Sequence, residues 1–310
     1  MRPDKLRRQY KKHLSGFESW SQLSHAKDYM IFPENIGENL SIDEVSLSQG
    51  ELYTFVSNKE GRGRRKTIVA SIKGTVSKDI FDVLDLIPIE ARKQVKEVTL
   101  DMARNMESAV KMSFPMAQLV TDRFHVVKLL LGALDQVRIK YRWEEIDKEN
   151  TAISLAKEQG IRYKPIELSN GDTYKQLLAR GRHVLFKDQS KWTDSQEKRG
   201  NLLFELFPEI QKAYNITMKF RKIYETKNKS DAKLFMEDWI EDIFTSQYKA
   251  FYTVANSIKY HLNNILNFFN NRNTNANAES FNAKIKLFRA NLRGVRNVDF
   301  FLFRLAKLFA

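Results

Sequence analysis

Between residues 39 and 73 the chain alternates apolar and polar side chains in three consecutive blocks. Nothing else in the sequence narrows the choice of fold as far. The blocks are NLSIDEVSL (39–47), ELYTFVSNK (51–59) and RKTIVASIK (65–73). A period of two over eight or nine residues, rich in Val, Ile, Thr and aromatics, predicts a strand with one buried face. SQG and the turn at Gly61–Arg65 separate the blocks and are short enough for antiparallel hairpins.

After Lys73 the period lengthens. SKDIFDVLDLI (77–87) reads as a helix capped by Ser77 and stopped by Pro88. VKEVTL (95–100) reads as a strand ending at Asp101, and MARNMESAVKM (102–112) as a helix. AQLVT (117–121) is a short strand ending at Asp122, followed by the helical RFHVVKLLLGALDQVRIKY. Three antiparallel strands followed by helix–strand repeats make the later strands parallel, joined by helical crossovers. This is the element order of a ribonuclease-H-like fold, an α/β arrangement with a mixed five-stranded sheet and flanking helices.

The remainder is helical in period. Residues 1–38 form a basic N-terminal helical arm, with MRPDKLRRQYKKH either lying on a phosphate backbone or fraying in solvent. Residues 39–131 and 256–310 supply the core, and 132–255 read as a large all-helical insertion within it. The closing segment VDFFLFRLAKLF (298–309) is apolar on most sides and is expected to pack on the sheet as a buried helix.

Charge supplies the partner class. The chain carries 52 Lys and Arg against 38 acids, a net charge of +14 over 310 residues, which favours a polyanion such as nucleic acid. There is no cysteine, so disulfides and cysteine-ligated zinc are excluded. No run approaches 18 apolar residues and no apolar signal region follows the basic N-terminus. A cytoplasmic, nucleoid-associated protein with no membrane partner is the expectation.

The stretch TNANAESFNAKIKLFRANLR (274–293) carries an apolar stripe at helical period: Phe281, Ile285, Phe288 and Leu292. Glu279, Asn282, Lys286 and Arg293 fall on a different face, one acid followed by amide and basic groups. Thr274, Asn275 and Asn277 suit the helix start, and Gly294 suits its end. Two further acids stand out. Asp43 lies midway along the first strand and Asp101 ends the fourth, its neighbour in this topology; Glu44 points to the opposite face. Such carboxylates repel one another when empty and suit hard divalent cations. Asp122 is open between a supporting acid, an extra ligand and the cap of the following helix. His125 is open between proton transfer and a hydrogen-bonded structural role. Arg123 and Lys128 either touch phosphate or are solvated. Trp192 either stacks on an extruded base or packs on the insertion, and Tyr141, Arg142 and Trp143 raise the same choice.

In this order SIDEVSL, VTLDMARNM, TDRFHVVKLL and ANAESFNAKIKL resemble the DDE transposases of bacterial insertion sequences, particularly the ISL3 family. The resemblance covers roughly residues 39–310. It implies metal-dependent cleavage of DNA ends and strand transfer, with Asp43, Asp101 and Glu279 holding two Mg²⁺ or Mn²⁺ ions. On this reading Asn282, Lys284, Lys286, Arg289 and Arg293, with Arg123 and Lys128, are expected to contact the DNA. Element ends and target DNA would be the partners, engaged by a homodimer or larger synaptic assembly. Members usually carry an N-terminal zinc-binding and helix-turn-helix region, which a chain without cysteine cannot supply. Recognition of the element ends is then expected from a separate DNA-binding polypeptide, or the chain is a truncated copy. Two rival readings stay open: a structure-specific metal-dependent nuclease on the same fold, and a catalytically inactive DNA-binding derivative. All three acids are present, which weighs against the second.

Overall fold

The computed structural model describes residues 3–48, 50–272, 276–292 and 294–310, without the side chains of residues 3, 4, 48 and 276–279. The strands are β1 (Tyr29–Ile31), β2 (Asn39–Ser48), β3 (Glu51–Asn58), β4 (Ile68–Lys73), β5 (Glu97–Leu100) and β6 (Gln118–Thr121). The helices begin with α1 (Pro3–Gln9), α2 (Ser77–Leu84), α3 (Ile89–Arg92), α4 (Arg104–Ser113) and α5 (Arg123–Glu158). They continue with α6 (Tyr174–Leu185), α7 (Asp194–Leu206), α8 (Pro208–Ile223), α9 (Lys229–Thr245) and α10 (Tyr252–Tyr260). The last four are α11 (Leu262–Leu266), α12 (Phe268–Asn271), α13 (Ala276–Asn291) and α14 (Val298–Phe309).

The chain divides into two compact units, residues 1–125 with 263–310, and residues 126–262. In the first, the strands form one mixed sheet in the order β1-β4-β3-β2-β5-β6. β2, β3 and β4 pair antiparallel, while β5 runs parallel to β2 and β6 parallel to β5. The sheet therefore has six described strands rather than the expected five. The added β1 pairs antiparallel with β4, with Met30 opposite Ser71. At three residues with one fully buried side chain, β1 is too short to print a period-two signal. A second departure is at Ser77, which does not cap α2. Its hydroxyl donates to the Asn105 carbonyl at 2.6 Å and ties α2 to the start of α4.

The two faces of the sheet are covered differently. On one, Leu40, Ile42, Val98 and Leu100 pack against Ile80 and Leu84 of α2 and Met106 and Val110 of α4. On the other, Val45, Leu47, Tyr53 and Phe55 pack against Phe281 and Ile285 of α13 and Phe301, Leu302 and Leu305 of α14. The alternation along β2 produces both faces from one strand. Burying each of these large side chains stabilises the fold by roughly 1.5–3 kcal/mol. α14 is apolar nearly all round because it has two neighbours. Its remaining side holds Phe300 and Phe303 against Phe17, with ring centroids 5.2 and 5.4 Å away. Lys11 sits over the Phe17 ring at 4.9 Å, which fastens the basic N-terminal segment to this cluster. The asparagine-rich stretch before residue 273 also has structural work. Asn267 donates to the Leu119 carbonyl at 2.8 Å and Asn270 to the Gln118 side chain at 3.0 Å, along β6 at the sheet edge.

The second unit is helical, with Leu177, Leu203, Ile210, Phe220, Trp239 and Phe251 buried. Trp239 donates to the Ile216 carbonyl at 3.0 Å, linking α9 to α8. Asp172 is 1% exposed and is held by Arg180 and Arg199. Trp192 packs within this unit. Its indole N–H donates to the Val184 carbonyl at 3.0 Å, and its ring lies over Gly200, where any Cβ would come within 2.5 Å. Trp143, by contrast, is 61% exposed.

Candidate active site

Register brings the acids together. β2 and β5 pair Ser41 with Thr99, so two residues further on Asp43 stands level with Asp101. β5 and β6 pair Leu100 with Thr121, which likewise sets Asp101 level with Asp122. Neighbouring strands are about 4.8 Å apart, and level residues of parallel strands share a face. Asp43 and Asp101 thus meet where β5 ends, the edge at which open α/β sheets bind ligands. Each is held from the backbone. Asp43 Oδ1 accepts from the Glu44 N–H at 2.8 Å, and Asp101 Oδ1 from the Ala103 N–H at 2.8 Å. Burial pushes the Asp43 carboxyl above its ordinary pKa. The Glu44 N–H and the His125 charge pull it back, the Asp101 charge adds to the rise, and the Asn282 amide opposes it. Glu44 is also held above its ordinary value, by burial and then by Asp101 and Asp43.

α13 closes the site from the second face. Phe281 and Ile285 are 1% and 0% exposed, and Phe288 and Leu292 pack beside them, so the apolar stripe is the docking surface. The Phe281 ring meets Phe55 edge-on at 6.2 Å, and Phe55 is the cross-strand partner of Asp43. Beside this stripe Asn282 is buried and its Nδ2 donates to Asp43 Oδ2 at 2.5 Å. Asn282, expected on the DNA, is therefore bonded to a carboxylate of the site. Glu279 lies three residues earlier in the same helix. The side chain of Glu279, the helix-start residues Thr274, Asn275 and Asn277, and Arg293 fall outside what is described. Gly294 has φ +97° and its N–H donates to the Arg289 carbonyl at 3.0 Å, closing the helix in the expected left-handed turn.

The cations of α13 divide by neighbour. Lys284 donates to the Gly63 carbonyl at 2.8 Å, and Arg289 to the Ser46 carbonyl at 2.9 Å, so both brace the protein itself. Lys286 is exposed. At the other side of the site, Asp122 Oδ1 accepts from the Phe124 N–H at 3.2 Å, the cap interaction for α5. His125 Nε2 stands 3.9 Å from Asp122 Oδ2. Arg123 is half-buried in the first turn of α5, and Lys128 is exposed on the part of α5 that belongs to the second unit. Among the described residues, no three His, Asp or Glu side chains are gathered as a metal-holding group.

Sequence reasoning missed a polar layer next to the site. Lys59, only 8% exposed, donates to Glu97 at 2.8 Å and to Thr99, while Ser41 and Ser57 share a hydrogen bond at 2.8 Å. Ser41 and Thr99 precede Asp43 and Asp101 by two residues and so lie on the same face. Lys59 and Glu97 are 38 residues apart, and only the strand register reveals their pairing. A lysine directly following a strand carried no signal beyond that of an ordinary surface residue.

The sequence matches a family model described as a transposase. The match spans residues 40–305, and the chain belongs to the ISL3 family of DDE transposases. A curated relative is the transposase for insertion sequence element IS1001 of Bordetella parapertussis, 21% identical over 273 residues, which cover 88% of this chain and 61% of that protein. The chain thus spans less than two thirds of that relative's length. No solved structure matches. No described helix is long and apolar enough to cross a membrane.

Proposed function

We propose that the chain catalyses metal-dependent cleavage of DNA at the ends of an insertion sequence and joins the freed ends to target DNA, with Asp43, Asp101 and Glu279 as its acids. The observation that carries this is the β2–β5 register, which continued by two residues sets Asp43 beside Asp101 just past the end of β5, under a helix whose Asn282 bonds Asp43 and which carries Glu279 three residues earlier. The strand order β4-β3-β2-β5-β6, three antiparallel strands followed by two parallel ones, supports a ribonuclease-H-like core with β1 added at the edge.

The donor set suits hard divalent cations. Carboxylate oxygens of Asp43 and Asp101 share a partly buried site in which burial and the Asp101 charge raise the cost of ionising Asp43, and a cation relieves this. Two Mg²⁺ or Mn²⁺ ions held by Asp43, Asp101 and Glu279 would activate the attacking oxygen and stabilise the leaving one. The chain's own groups keep the acids in place: the Glu44 N–H and the Asn282 amide orient Asp43, and the Ala103 N–H orients Asp101. In the first step water attacks the phosphorus at the element end, the P–O3′ bond breaks and the 3′ oxygen leaves as a hydroxyl. In the second, that hydroxyl attacks a target phosphodiester and displaces its 3′ oxygen. Joining two ends requires more than one copy of the chain in a synaptic complex. Lys286, Arg123 and Lys128 would contact the DNA backbone, which confers affinity rather than sequence discrimination. The test is incubation with element-end duplex and Mg²⁺ or Mn²⁺, scored for 3′-hydroxyl release and joined product. Product that forms equally in EDTA, or no product at all, contradicts the proposal.

A further inference from the structure

The turn between β3 and β4 reads KEGRGRRK over residues 59–66 and holds Arg62, Arg64, Arg65 and Lys66, all exposed. Among the described residues none of these four side chains pairs with an acid. The only acid in the turn is the exposed Glu60, and Lys59 is turned inward to Glu97. The turn is a built platform rather than a slack loop. The Arg62 N–H donates to the Lys59 carbonyl at 3.2 Å and the Arg64 N–H to the Gly61 carbonyl at 2.9 Å. Gly61 packs so closely on Thr67 that an added Cβ would lie 2.5 Å from its hydroxyl, and the Thr67 N–H donates to the Phe309 carbonyl at 2.7 Å. Arg62 and Lys66 both adopt left-handed backbone, φ 49° and 64°, a conformation that long side chains rarely take without support. Lys284 of α13 reaches over to the Gly63 carbonyl at 2.8 Å, so the turn is fastened two residues beyond the asparagine that holds Asp43.

We propose that this turn is a DNA-backbone contact, its four cations gripping phosphates beside the helix that carries Glu279. The inference rests on the DNA-acting reading above and adds a site that lies outside α13. It also assigns Lys284 a bracing role, with the adjacent turn supplying the phosphate contacts. A row of guanidinium and ammonium groups offers charge-assisted hydrogen bonds to phosphate oxygens without reading bases.

The test measures binding of a short duplex of arbitrary sequence, without metal, across a salt series. Each phosphate contact contributes about 0.9 to the slope of log affinity against log salt. The double variant Arg64→Ala/Arg65→Ala is expected to lower the slope by about two units and to weaken low-salt binding at least tenfold, with unfolding temperature unchanged. The comparison is Lys78→Ala/Lys111→Ala, which removes the same net charge from exposed positions on α2 and α4. That variant is expected to keep nearly the parent slope. Equal losses in the two double variants would mean that only total charge matters and would overturn the proposal. An unchanged slope in the turn variant would overturn it as well, leaving the DNA-acting reading intact. Failure of the parent protein to bind the duplex would bring down both.

Discussion

Asn282 and Asp43 should be energetically coupled, and the structure sets the size of the coupling. Asn282 is 9% exposed and donates to Asp43 Oδ2 at 2.5 Å. A hydrogen bond to a charged group contributes about 1.5–3 kcal/mol net, so Asn282→Ala should destabilise the first unit by about 2 kcal/mol at neutral pH. For a unit of this size that is a loss of roughly 4–8 °C in unfolding temperature. The pH dependence follows from the direction of the Asp43 shift. Burial holds its folded pKa above the unfolded value. The metal-free native state therefore binds more protons in that window, and this group's contribution to stability falls as pH rises through it. Removing the Asn282 amide raises the folded pKa further. The charge-dependent part of the Asn282→Ala deficit is then fully present above the variant's folded pKa and is lost as pH falls below the parent's folded pKa. Asp43→Asn removes the buried charge and should itself stabilise the metal-free protein at neutral pH. In that background Asn282→Ala should cost at least about 1 kcal/mol less than in the parent. Thermal or urea unfolding of the four proteins at neutral and acidic pH measures this cycle. Additivity within about 0.5 kcal/mol at neutral pH would refute the coupling.

Phe281→Ala should destabilise the first unit by about 3–5 kcal/mol, because its ring is 1% exposed and sits between Phe55 and Phe309. Urea denaturation followed by circular dichroism reports this, and a change below about 1 kcal/mol would mean that α13 is not docked through this residue. Lys59→Met should cost about 3–5 kcal/mol by leaving the Glu97 carboxylate buried without its cation. The double variant Lys59→Met/Glu97→Leu should recover most of that loss, and the same unfolding experiment separates the two outcomes.

How much was legible in the sequence depended on the range of the signal. The strands β2 to β6 carry either an alternating pattern or a short apolar run ending at an acid. Continuing the strand order then predicts β2 beside β5, and with it the approach of Asp43 and Asp101. The apolar stripe of α13 was equally plain, since Phe281 and Ile285 recur at helical period and are buried together. β1 escaped because three residues cannot display a period. Ser77 has the right chemistry for a cap, yet a carbonyl 28 residues away takes its hydroxyl. The bond from Asn282 to Asp43 spans 239 residues, and Lys284 and Arg289 likewise donate to distant carbonyls. Helical period places such side chains on a face but does not say whether carboxylate, carbonyl or phosphate waits opposite. That gap also hid the basic turn, which reads in sequence as a simple hairpin connection.

The central claim is that carboxylates on β2, after β5 and on α13 form one metal-dependent site for phosphodiester chemistry. The most direct measurement is single-turnover cleavage and joining of an element-end duplex in Mg²⁺ by the parent, Asp43→Asn, Asp101→Asn and Glu279→Gln, with metal-free duplex binding measured alongside. Each variant should bind the duplex as well as the parent or slightly better, and should release no 3′-hydroxyl above background. Substantial Mg²⁺-dependent cleavage by Asp101→Asn, folded and bound to the duplex, would contradict the account.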